Sequence, residues 1–153
     1  MPVDAELIEA EIAHKAVLEQ LLELYQHDFS EFDDHDIGAD GFYRYRYLDN
    51  YWTEAERHPL LFCVDGKWAG FALVRAGAPH DMAEFFVMRK YRRSGVGTVL
   101  AREVFARFPG EWQVRQMTAN PAATAFWRRA IPVEFTQETL DQGPVQRFTI
   151  ADR

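Results

Sequence analysis

The stretch "FFVMRKYRRSGVGTVLAREVF" (residues 85–105) constrains the fold more than any other part of the chain. A short apolar run over Met82–Met88, rich in bulky side chains, reads as a strand and gives way to a basic loop. Gly95-Val96-Gly97 then opens a segment in which Val96, Val99, Leu100, Val104 and Phe108 recur at helical spacing, stopped by Pro109-Gly110. A helix N-terminus placed there offers unpaired N–H groups and the positive end of a dipole, which suit phosphate. Glycines at 95 and 97 let an anion approach the backbone with no Cβ in the way. Arg89, Lys90, Arg92 and Arg93, four of the 17 Lys+Arg, crowd into this loop of a chain whose net charge is −7. Such a local patch points to one small anionic ligand and away from nucleic acid, whose non-specific binding needs many phosphate contacts.

The rest of the chain supplies the setting for that unit. "AELIEAEI" reads as a strand, and Val17, Leu18, Leu21, Leu22, Tyr25 and Phe29 mark an amphipathic helix over 13–29. Residues 30–58 are polar, acidic and then aromatic without a long period, and read as an extended loop with a short helical turn. "PLLFCVDGKWAGFALVR" reads as a hairpin around Asp65-Gly66, a pair suited to a tight turn with positive φ. After the central unit, "EWQVRQM" alternates as a strand, Pro121 suits the first turn of a helix over "PAATAFWRRA", and "VEFTQETL" and "VQRFTI" read as a last strand pair. The order β-α-loop-β-β-β-α-β-α-β-β makes this an α/β (α+β) chain, expected to form one domain over 1–153. Apolar residues make up 48% of it, enough for a packed core. The lone Cys63 excludes an internal disulfide framework, no apolar stretch approaches the roughly 18 residues of a membrane span, and the acidic start has no signal-peptide pattern. A cytoplasmic protein without membrane contact is the expectation.

Two phosphate-binding motifs fail on the residues. A P-loop requires a lysine that "RRSGVGTVL" lacks, and the dinucleotide fingerprint finds Leu100 where its third glycine or alanine belongs. Arg92-Arg93-Ser94-Gly95-Val96-Gly97 instead resembles the Gln/Arg-x-x-Gly-x-Gly/Ala signature of the GNAT superfamily of acyl-CoA-dependent N-acyltransferases. "NPAATAFWRR" resembles that superfamily's Asn-x-x-Ala-x-x-Phe-Tyr segment, with Asn120, Ala123 and Phe126 in place, and the order of elements agrees. The resemblance implies a GNAT-like fold, a central mixed, mostly antiparallel sheet of six to seven strands flanked by helices. It implies acetyl-CoA as cosubstrate and direct transfer to a primary amine of a small molecule or peptide. Backbone groups of Phe86, Val87 and Met88 would pair with the pantetheine arm, and the N–H of Val87 or Met88 would stabilise the oxyanion. Backbone N–H groups of Arg92, Arg93, Ser94, Gly95, Val96, Gly97 and Thr98 would hold the pyrophosphate, with the Arg92 and Arg93 side chains in support. Asn120 would contact the pantetheine arm, and the helix carrying Phe126 would flank it.

One departure is Trp127, where the family often has a tyrosine that protonates the departing thiolate. An indole keeps its proton, so no acid is assigned; a thiol of pKa about 8.5 leaves tolerably well without one. An acceptor amine has a pKa of about 10.4 and must lose a proton. Glu84 is the candidate base, because it lies in the central strand on the face of Phe86 and Met88, among apolar residues that raise a carboxyl pKa toward neutrality. Acidic and aromatic residues between Asp28 and Trp52 suit a cationic amine, with a solvated loop as the alternative. His27, Asp33, His35 and Asp36 follow no ligand spacing, so no metal is expected; Arg128 and Arg129 read as surface charges. A non-catalytic acyl-CoA sensor of the same fold is the alternative function, and a second copy of the chain is a candidate partner.

Overall fold

A computed structural model describes residues 4–152. Its elements are β1 (Ala5–Glu9), α1 (Lys15–Phe29), β2 (Arg57–Val64), β3 (Lys67–Arg75), β4 (His80–Val87), α2 (Val96–Arg107), β5 (Gly110–Arg115), α3 (Pro121–Ala130), β6 (Thr136–Leu140) and β7 (Gly143–Ile150). Short 3-10 turns lie at Ile12–His14, Leu48–Trp52 and Arg89–Tyr91. The strands form one seven-stranded sheet in the order β1-β2-β3-β4-β5-β7-β6, antiparallel except between β4 and β5. Fold class and order of elements agree with the reading above. The differences lie at the ends: the first strand stops at Glu9, because the chain turns through Ile12–His14 into α1. The penultimate strand begins at Thr136 and not at Val133.

Local chemistry accounts for the sharpest boundaries. Asp65 and Gly66 both take positive φ, 49° and 79°, which gives β2 and β3 the tight turn that matches strand twist. Pro121 starts α3 where its missing N–H costs nothing, and the Asn120 side chain caps the helix by accepting from the Ala123 N–H at 3.2 Å.

Each face of the sheet has its own core. On one face α2 and α3 pack Leu100, Val104, Phe105 and Trp127 onto Trp112, Val114 and Phe148. On the other, α1 sets Leu18, Leu21 and Leu22 against Leu61, Phe71, Leu73 and Phe86. Among the described residues no helix is long and apolar enough to cross a membrane.

Leu18 is fully buried in the second core, so Leu18→Ala leaves a cavity under α1. Urea denaturation is expected to show a loss of about 2–5 kcal/mol.

Candidate functional site

The site begins with a sheet that opens. β4 and β5 pair only at His80–Trp112 and Asp81–Gln113, and beyond Asp81 the two strands part. The backbone groups that β4 presents to this gap follow from its register with β3. The Met88 N–H donates to the Ala69 carbonyl at 2.8 Å, so Met88 and Phe86 turn their polar groups toward β3. Phe85 and Val87, one residue out of phase, turn theirs toward the gap. Of the two amides considered for an oxyanion, Met88's is therefore already engaged and Val87's faces the opening. The Met88 side chain packs in the α1-side core and does not line the cleft.

A cleft of about 1410 Å³ runs through the gap. Phe86, Val87, Arg92, Arg93, Gly95, Gly97, Thr98, Asn120 and Phe126 line it, together with Glu84. Ser94 and Val96 do not: Val96 is a core residue, and the Ser94 hydroxyl closes the loop by donating to the Tyr91 carbonyl at 2.7 Å. Any contribution of these two to an anion site is through the main chain. Gly95 precedes α2 in the left-handed region at φ 83°, with no side-chain cap, leaving the first amides of the helix for a ligand. Gly97 serves packing as well, since a Cβ there would sit 3.2 Å from the Phe126 ring.

Arg92 lines the cleft but is also bound within the protein: its Nε donates to the Val87 carbonyl at 2.7 Å and its Nη2 to Asp28 Oδ2 at 2.5 Å, so the guanidinium turns toward α1. Arg89 joins the same carboxylate. Asn120 spends its carbonyl oxygen on the α3 cap. Arg129, read as a surface charge, lines the cleft, whereas Arg128 donates to Gln137 at 2.5 Å. Trp127 is a wall and core residue, edge-to-face with Phe85 and Phe126 at 4.9 Å each.

Glu84 lies on the α1 face of β4, and its Oε2 accepts a long 3.5 Å hydrogen bond from the Tyr25 hydroxyl. Burial pushes its carboxyl up from the ordinary 4.5 to about 7; the Asp81 charge adds to this, while the Tyr25 hydrogen bond and Arg115 oppose it. Burial and the nearby Glu84 charge also raise the Tyr25 and Tyr45 hydroxyls, so both phenols stay protonated near neutrality. Glu84, Tyr25 and Phe29 line the cleft and also a second cavity of about 260 Å³, which Tyr45, Asp33 and His35 help enclose. From the expected acidic and aromatic loop, only part reaches these walls. Asp40 pairs with Arg44 at 2.7 Å, Tyr51 is in the core, and the Trp52 indole donates to the Ala10 carbonyl. Tyr25 is a site residue that sequence reasoning misses; its place on the helical stripe toward the sheet is the available signal. Among the described residues no three His, Cys, Asp or Glu side chains converge as metal ligands.

Comparisons with known proteins bear on this geometry. A model of the acetyltransferase (GNAT) family matches residues 18–131. An acetyltransferase from Thermus thermophilus superposes with a TM-score of 0.70 at 14% identity, over 94% of each chain. The PaiA N-acetyltransferase of Thermoplasma acidophilum, in complex with coenzyme A, gives 0.65 at 11% identity over 95% of this chain and 99% of that one. The ribosomal-protein-S18-alanine N-acetyltransferase of Escherichia coli gives 0.64 at 14% over 98% and 96%. No curated protein matches by sequence. The match across most of the chain, on a sheet opened between β4 and β5, makes this protein a member of the acetyltransferase (GNAT) family, an N-acetyltransferase enzyme.

Proposed function

We propose that the chain, as a single domain over 1–153, transfers the acetyl group of acetyl-CoA to a primary amine of a small molecule or peptide, by direct attack in a ternary complex in the cytoplasm. The observation that carries this reading is Glu84, a carboxyl with a pKa of about 7 in the wall shared by the cleft and the second cavity. The gap-facing groups of Phe85, the Val87 N–H and the uncapped amides at the start of α2 fit an extended arm ending in a pyrophosphate. The coenzyme A held by the Thermoplasma acidophilum protein supports that donor, and the amine acceptor named for the Escherichia coli enzyme supports the acceptor class.

Acetyl-CoA supplies a thioester whose carbonyl an amine can attack. Phe85 and Val87 bind the arm by adding it to the edge of β4, and the Val87 N–H is the donor offered to the charge that develops on the carbonyl oxygen. Tyr25, Phe29 and Tyr45 give the acceptor's cation aromatic faces, and Asp33 adds a carboxylate. Glu84 at neutral pH is divided between its two protonation states, which suits a base that must take the amine's proton and release it again. Trp127 keeps its indole proton, so the departing thiolate takes one from water.

The test is thiol release from acetyl-CoA across a panel of amines. The wild-type protein is expected to release thiol only when an amine is present, with kcat/KM falling below about pH 7. Glu84→Gln is expected to lower kcat about 100-fold or more and to remove that acidic limb. Saturable coenzyme A binding with no turnover on any amine would favour the sensor.

The same carboxyl makes a prediction about stability. In the fold Glu84 binds its proton more tightly than in the unfolded chain, about 7 against 4.5, so ionising it works against folding. The penalty is absent below the unfolded value, grows as pH rises from 4.5 to 7, and is complete above that. Glu84→Gln is therefore expected to be more stable than wild type at about pH 8, by up to about 3 kcal/mol at about 1.4 kcal/mol per pH unit. The two melting temperatures should converge near pH 4.

A further inference from the structure

Asp28 occupies the last turn of α1, where the negative end of the helix dipole opposes a carboxylate. Its side chain is only 19% exposed, and it caps nothing: Ser30 and Glu31 take their backbone partners from main-chain carbonyls. What it does is collect two arginines from the loop after β4. Oδ1 accepts from Arg89 Nη2 at 2.6 Å and Nε at 3.1 Å, and Oδ2 accepts from Arg92 Nη2 at 2.5 Å. Burial pushes this carboxyl up, but the hydrogen bonds and charges of Arg92 and Arg89 outweigh it and hold the group below its ordinary value. Asp28 is thus ionised at neutral pH and committed to these partners.

Arg92 carries the contact onward. Its guanidinium lies over the Phe86 ring, 5.6 Å from the centroid, and its Nε donates to the Val87 carbonyl at 2.7 Å. That carbonyl ends β4 on the edge facing the gap, so Arg92 fixes the direction in which the last peptide of the strand points. A planar fork bonded on one side to Asp28 and on the other to Val87 ties α1 to the strand edge itself. Two guanidiniums held this way share one carboxylate, which offsets part of their charge.

We propose that Asp28 is a positioning residue for the donor's pantetheine arm, acting through Arg92 on the Val87 edge and not through charge on the pyrophosphate. The proposal rests on the acetyl-CoA reading above and deepens it. It separates two effects that acetyl-CoA alone would confound, because acetyl-pantetheine keeps the arm and thioester but lacks the pyrophosphate and nucleotide.

Steady-state kinetics of wild type, Asp28→Asn and Arg92→Lys with both donors test it, beside a melting curve for each variant. Asp28→Asn removes the charge and keeps the shape. Arg92→Lys keeps the charge and loses the planar fork. Each is expected to raise KM about tenfold for acetyl-CoA and for acetyl-pantetheine alike, with kcat within about twofold. A loss confined to acetyl-CoA would overturn the proposal in favour of phosphate electrostatics, and a lowered KM would make Asp28 a brake on binding. An unchanged KM for both donors would also overturn it. Should Asp28→Asn fail to fold, Arg92→Lys carries the same comparison. Wild-type turnover of neither donor would strike the acetyl-CoA reading itself, an outcome distinct from all of these.

Discussion

β4 and β5 share two registers and then separate, and every feature of the site depends on how the two halves of the sheet are held apart beyond that point. A strand edge left without partners exposes amides and carbonyls that must be satisfied by something. Here the edge is stable because each half of the sheet has a strong partner of its own. β4 is fixed by β3 along its length, and β5 by β7 over six paired positions from Gly110–Ile150 to Arg115–Val145. Trp112, packed on Phe105 and Phe148, anchors the β5 side. Beyond it the Gln116 and Gln146 side chains exchange hydrogen bonds at 2.6 and 2.8 Å in the interior. At the fork, Arg115 on β5 reaches Asp81 on β4 at 2.7 Å, and the other Asp81 oxygen is buried without a partner among the described residues. That carboxylate also adds to the rise in the Glu84 pKa. The opening of the sheet and the raised pKa of Glu84 thus share a residue.

Helix α1 supplies the second organising element. Tyr25 and Asp28 are one turn apart and share a face, so one helix touches the buried Glu84 carboxyl through a phenol and the loop before α2 through an ion pair. Leu18, Leu21 and Leu22 press that helix onto β2 and β3, which makes its placement a matter of core packing. Precision at the site is in this way inherited from apolar contacts well away from it.

Local chemistry made much of this legible in the sequence. The Asp65-Gly66 turn, the Pro121 start of α3 and the Gly95 start of α2 each rest on a residue whose own backbone preference decides the boundary. The face of Glu84 followed from two-residue alternation, and its raised pKa from the apolar residues around it. What the sequence hid needs more than one element to define. Whether Val87 or Met88 offers a free amide is a question of register with β3, which no pattern within β4 encodes. That Arg92 serves Asp28 and Val87 depends on α1 arriving from 64 residues earlier in the chain. A cluster of arginines beside a glycine-rich helix start reads as phosphate-binding charge, and the carboxylate that two of them share comes from another element.

Glu84 is a partition residue, common to the walls of two cavities. A group so placed borders both chambers at once, so a change in its charge is felt in each. The smaller chamber, about 260 Å³, is ringed by Tyr25, Phe29 and Tyr45. Asp33, His35 and Tyr45 line only this chamber, so changes in the loop behind α1 reshape the smaller chamber and leave the larger one and its glycine-opened helix as they are.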